Sequence, residues 1–190
     1  MNTQEVLIRH TQPSQWGFIE SGKGCADVLF VPLKGLTARS AIEIETDGNM
    51  INVLPGHGAI VESNKWGVTK SVGPCSIAVI TGMDNAVWLG HLKPGRGLPS
   101  GSLRAITHRK FSHTHLNITL IGANPTGFSS LEDAQRSREL QVFTIQKQTE
   151  AIGVRSNMFT HWNMRGTEWL VAFVHAYKNC AEIYIAPELP

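Results

Sequence analysis

Short runs of Val, Ile and Leu, separated by turn-forming residues, dominate the first two thirds of the chain. Val6–His10, Asp27–Leu33, Ala41–Glu45 and Ile51–Leu54 are bounded by SGKG, LKG, TDGN and LPGHG, a pattern that predicts strands between turns. IEIET alternates apolar and polar residues, as a half-buried strand does. TDGN before Met50 carries the Asp-Gly and Gly-Asn pairs of a tight hairpin. GAIVESN and KWGVTKSVGP follow, then CSIAVIT and AVWLGHL around the loop GMDN, which predicts a second hairpin. PGRGLPSG at 94–101 reads as loop. SLRAITHRKF is either a short helix or an irregular strand, and LNITLIGA (116–123) is a buried strand.

The pattern changes at Ser129–Gly153, which predicts one long helix. Ser129 and Glu132 stand at capping-box spacing, Leu131, Ala134, Val142, Ile145, Ala151 and Ile152 form an imperfect apolar stripe, and Gly153 is the stop. EWLVAFVHAY and CAEIYIA flank Lys-Asn as a closing hairpin. Many strands, mostly antiparallel, with one long helix give an α+β layered, β-rich sandwich over a single domain, 1–190.

Composition narrows the function. The chain has 190 residues, 42% hydrophobic and 17% charged, enough for one core without staples. Seventeen basic against fifteen acidic residues, net +2, give no electrostatic case for nucleic acid. No apolar stretch approaches the length of a membrane span and the N-terminus has no secretory pattern. The expectation is a cytoplasmic protein without membrane insertion, or one exported or injected without a signal peptide. Cysteines at 25, 75 and 180 form no CxxC pair, so zinc knuckles and dithiol redox motifs are excluded and reduced thiols are expected.

Cys75 and His91 are the chemical candidates. Cys75 follows Gly73-Pro74 at the head of one hairpin strand, and His91 lies near the end of the other. Pairing around GMDN brings the two ends together, where an imidazole can take a thiol proton. The side-chain-poor approach leaves backbone N–H groups open to an oxyanion. Thr69 is placed to orient the imidazole by its hydroxyl or carbonyl, with Asn64 as a substitute, which completes a nucleophile–base–orienter set. Trp66 and Trp88 flank these residues and are candidates for a substrate groove, or else for the core. Both Cys75 and His91 also have a plain packing reading.

Thr-x5-Cys-x15-His, with the cysteine opening a strand after a Gly-containing turn, resembles the CheD-type chemoreceptor glutamine deamidases, whose fold and Cys–His arrangement the cytotoxic necrotizing factor catalytic domains share. Leu92 after the histidine and Ile121-Gly122-Ala123-Asn124 before a helix also match that pattern. Gly73-Pro74 stands where CheD has Gly-Ser, and the segment LPSGSLRAITHRKFSH is shorter and more polar than its CheD counterpart. The likeness is good over 66–92, faint over 116–185 and undetectable over 1–60. It implies a cofactor-free protein glutamine deamidase, with transglutamination as a side activity, acting on a chemoreceptor or another signalling protein as a housekeeping modifier or a toxin-like bacterial effector. The alternative is a non-catalytic β-rich binding module with a structural Cys–His hairpin.

Other constellations are weaker. His113-Thr114-His115, near His108, has metal-ligand spacing, but Asp and Glu are absent from 85 to 131 and no third ligand is evident. His57 and His161 are isolated, and Cys25 and Cys180 read as packing residues. Ser21-Gly22-Lys23-Gly24 lacks the remainder of a phosphate loop.

Overall fold

The strand-length apolar runs form two sheets because each run is apolar on both faces or on alternating positions, and each sheet buries one face against the other. A computed structural model describes residues 18–21, 26–30, 50–109, 115–163, 169–177 and 180–187, of which 18–21, 26–30 and 187 by backbone course alone. The strands in chain order are β1 (Phe18–Ser21), β2 (Ala26–Phe30), β3 (Met50–Asn52), β4 (Gly58–Glu62), β5 (Trp66–Val72), β6 (Ser76–Met83), β7 (Ala86–Leu92), β8 (His115–Gly122), β9 (Arg155–Asn163), β10 (Leu170–Tyr177) and β11 (Cys180–Pro187). Two helices are described, α1 (Ser100–Thr107) and α2 (Leu131–Ala151).

One sheet runs β1-β9-β8-β6-β7-β4, the other β2-β11-β10-β5-β3. Six of the described pairings are antiparallel; β2–β11, β3–β5 and β8–β9 are parallel. The fold is thus an α+β, β-rich sandwich with a long helix. Strand alternation builds its layers. Ile77, Val79, Val87, Leu89 and Ile121 point inward against Val72, Ala172, Val174, Ile183 and Ile185 of the other sheet. Ala78, Ile80, Trp88, Leu92, Ile118 and Leu120 point outward, under Ile106 of α1 and Ile145 of α2. Val6–His10, Ala41–Glu45, residues 31–33 and the TDGN and Lys-Asn turns lie outside the described residues.

The GMDN loop is tighter than its composition suggests. Met83 pairs with Ala86, so only Asp84 and Asn85 turn the chain, while Gly82 (φ 101°) sits in a bulge between Ile80 and Met83. The ambiguous segment after the loop is helix α1, which begins at Ser100, inside the stretch read as loop.

Helix α2 differs from expectation in two ways. Its N-cap is Ser130, not Ser129: the Ser130 hydroxyl accepts the Asp133 N–H at 3.0 Å, and Glu132 instead pairs with Arg136. Its buried stripe is Ala134, Arg138, Gln141, Ile145 and Thr149, whereas Leu131 is 63% exposed. Three polar side chains outside the expected stripe, Arg138, Gln141 and Thr149, take buried positions. Burying them is tolerated because each is hydrogen-bonded. Arg138 donates to the Ala123 and Asn163 carbonyls, and Thr149 exchanges a bond with Ser156 at 2.9 Å. Gly153 (φ 73°) stops the helix as expected.

Candidate active site

The hairpin β6–β7 brings the two candidate residues to the same end of the sheet. Ile77 pairs with His91 and Ser76 with Leu92, so Cys75 stands one residue beyond the paired end of β6. Cys75 packs on the inter-sheet core. His91 lies on the same side, because its Nδ1 meets the hydroxyl of Thr69, in β5 of the opposite sheet, at 2.8 Å. The site is therefore built across the two sheets.

The hydrogen-bond network assigns the imidazole tautomer. The Thr69 hydroxyl donates to the Val53 carbonyl at 2.9 Å. Its single proton is thereby used, so the same oxygen accepts Nδ1–H from His91. Nε2 then carries the lone pair. That atom is buried and, among the described residues, has no hydrogen-bond partner. Orientation comes through the Thr69 side chain, not merely its carbonyl, and Asn64 is not the partner.

The backbone around His91 is held as firmly as its ring. The Gly56 N–H donates to the His91 carbonyl at 2.7 Å, and the His91 N–H donates to the His57 carbonyl at 3.0 Å. On the other side, the Cys75 carbonyl accepts from Ala123 N–H at 2.8 Å and the Gly73 carbonyl from Asn124 N–H at 3.1 Å. The turn after β8 thus fixes the loop that carries the thiol. Gly122 (φ 97°) and Ala123 (φ 51°) both take left-handed conformations there.

Burial sets the charge states. His91 is wholly buried, and desolvation pulls its pKa down to about 4, so the ring is a neutral base at pH 7. Burial pushes the Cys75 thiol up, and the positive field of Lys93 partly offsets this. The resting pair is neutral thiol and neutral imidazole, without a hydrogen bond between them. Such an arrangement suits proton transfer in step with attack rather than a preformed thiolate.

The two tryptophans face away from Cys75 and His91. Trp88 is three positions from His91 and so on the opposite sheet face. It is 1% exposed and packs in the outer core beneath the helices. A Cβ on Gly58 or Gly90 would fall 2.0 or 2.1 Å from its ring, so both glycines are required by its bulk. Trp66 is three positions from Thr69 and likewise faces away. It stacks on His175 at 4.7 Å and leans on Tyr184 at 5.7 Å, on the outer face of the five-stranded sheet.

Trp169, half exposed, sets its indole against Gly73, two residues before Cys75. Lys93, Gln141 and the Val53 carbonyl were also not singled out from sequence. Lys93 stands two residues after His91, a spacing that signals it. A carbonyl leaves no side-chain signal, and Gln141 looks like any surface residue of a helix.

The other histidines stay apart. His57 is exposed and donates from Nδ1 to the Pro55 carbonyl at 3.1 Å. His115 lines an open cleft with Glu150 and Arg155, His161 is buried in β9, and His113 lies outside the described residues, as do Cys25 and Trp16. Cys180 is half-buried and opens β11. Among the described residues no three His, Cys, Asp or Glu side chains gather as a metal site, and no helix is long and apolar enough to cross a membrane.

The sequence matches no protein-family model and no curated protein.

Proposed function

We propose that the chain is a cysteine amidohydrolase that deamidates glutamine on a protein partner, as its resemblance to the CheD-type deamidases implies. The observation that supports this most is the Thr69–His91 hydrogen bond, which leaves a buried, unpartnered Nε2 lone pair on the inter-sheet side where Cys75 also packs.

Cys75 Sγ attacks the carboxamide carbon as its proton passes to His91 Nε2. The imidazolium returns that proton to the departing nitrogen, the C–N bond breaks and ammonia leaves. Water then attacks the thioester, its proton goes to His91, the C–S bond breaks and the thiol is restored with a glutamate carboxylate as product. An amine in place of water gives transglutamination. The new carboxylate places a negative charge on the partner's surface, and that charge is the signal.

The test is the intact mass of a chemoreceptor cytoplasmic helix, and then of a signalling GTPase, after incubation. Each glutamine converted adds about 1 Da, the mass change this hydrolysis demands. Cys75→Ser and His91→Ala give no gain. The second reading, a non-catalytic binding module, draws on the upward-shifted thiol, the wholly buried His91 and the missing Cys75–His91 hydrogen bond. It replaces the first if neither partner gains mass while Cys75→Ser keeps the protein's full biological effect.

A further inference from the structure

The polar stripe of α2 lies behind the six-stranded sheet, on the face opposite Cys75 and His91, yet its bonds end on the residues beside them. Gln141 is 2% exposed. Its Oε1 accepts from the hydroxyl of Ser76, the residue after Cys75, at 2.6 Å. Its Nε2 donates to the carbonyls of Lys93, two residues after His91, at 3.2 Å, and of Arg96 at 2.8 Å. One amide therefore bridges the end of β6 that bears the nucleophile and the end of β7 that bears the base.

That bridge sits where the hairpin's own ladder stops. Ser76–Leu92 is the last β6–β7 pair, and beyond it Cys75 and Lys93 have no strand pairing to hold them together. Arg138, one turn earlier on the same stripe, donates to the Ala123 carbonyl at 3.0 Å, and Ala123 N–H in turn holds the Cys75 carbonyl. Gln148, two turns after Gln141, grips both backbone groups of Leu98 at 2.8 and 3.0 Å. A helix needing only to cover a sheet would bury apolar side chains there, because each buried polar group adds desolvation cost. These side chains bond instead to the two segments whose spacing determines whether thiol and imidazole can react.

We infer that Gln141 is a positioning residue that sets the separation of the Cys75 thiol from His91 Nε2. The inference rests on the catalytic reading of that pair. Misplacing reacting groups by about 1 Å costs up to about a hundredfold in rate, so the bridge bears on rate as well as on folding.

The probe is acylation of the protein by p-nitrophenyl acetate, read as the pre-steady-state burst of released p-nitrophenol from about pH 3 to 9, a range that spans the lowered pKa of His91 at about 4, together with the melting temperature. Gln141→Met keeps the side-chain length and removes all three bonds. Ser76→Ala removes one of them and leaves the helix packing alone, so it serves if Gln141→Met does not fold. The expected result is a burst that requires Cys75 and His91 and slows about tenfold or more in Gln141→Met. A smaller loss is expected in Ser76→Ala, and the low-pH limb set by His91 flattens in both. A burst that requires Cys75 and His91 but is unchanged in rate and pH profile in the folded variants overturns the positioning role alone. A wild-type burst independent of Cys75 and His91 overturns the catalytic reading and this inference with it.

Discussion

Thr69 and His91 belong to different sheets, yet a 2.8 Å hydrogen bond joins them and, through the Val53 carbonyl, dictates which imidazole nitrogen holds the proton. Thr69→Val leaves two buried polar groups unpaired and is expected to destabilise the fold by about 1–3 kcal/mol. Thr69→Ala should also lower turnover sharply, because the hydroxyl and not the carbonyl holds the ring. Thr69→Ser should restore both. Urea denaturation and 15N spectra of the imidazole, which report protonation at Nδ1, provide the check.

The buried histidine makes stability depend on pH. An unfolded chain protonates His91 near 6.5, the ordinary imidazole value, while the folded protein resists until about 4. Between those values the unfolded state binds more protons, so stability rises with pH through that window and falls as pH drops through it. The full effect is about 3 kcal/mol. Denaturation midpoints from pH 4 to 7 should show it in wild type, and His91→Gln should remove most of the slope.

Lys93 works against the upward shift of the Cys75 thiol. Lys93→Met removes that field, raises the thiol pKa further and should slow alkylation of Cys75 by iodoacetamide at pH 8.5. The modified residue is read by peptide mass. Equal rates in the two proteins would remove Lys93 from the site.

Trp88 and its two glycines form one packing unit. Gly90→Ala puts a methyl group 2.1 Å from the ring, against the bulk of a fully buried indole. The expected loss is about 3 kcal/mol or more, or failure to fold, read by thermal melts. Gly101→Ala, with nothing within 4 Å, is the control and should be nearly neutral.

The helix cap is a local test. Ser130→Ala should cost about 1 kcal/mol, whereas Ser129→Ala should cost little, since the Ser130 hydroxyl makes the capping bond. Urea midpoints distinguish the two.

Particular residues show how far the chain's pattern reaches. CSIAVIT and AVWLGHL are hairpin strands as their composition indicates, and that hairpin alone brings Cys75 toward His91. Alternation also puts Trp66 opposite Thr69 and Trp88 opposite His91, since each pair is an odd number of residues apart; nearness in sequence is misleading there. The Thr69 contact depends on how two sheets stack, which no local period encodes. Arg138 and Gln141 are hidden for another reason. A helical period measures hydrophobicity, and these two occupy buried positions through hydrogen bonds that only the assembled sheet supplies.

The division of Thr69 and His91 between two sheets has a consequence for the order of folding. The β6–β7 hairpin closes locally, but its histidine is then an ordinary solvated imidazole that exchanges freely between tautomers. Only when the five-stranded sheet docks does Thr69 select one tautomer, and only then does burial depress the pKa. Docking of the two sheets thus also fixes the state of the imidazole, and a chain whose sheets have not yet met carries His91 without the tautomer and the lowered pKa that Thr69 and burial give it.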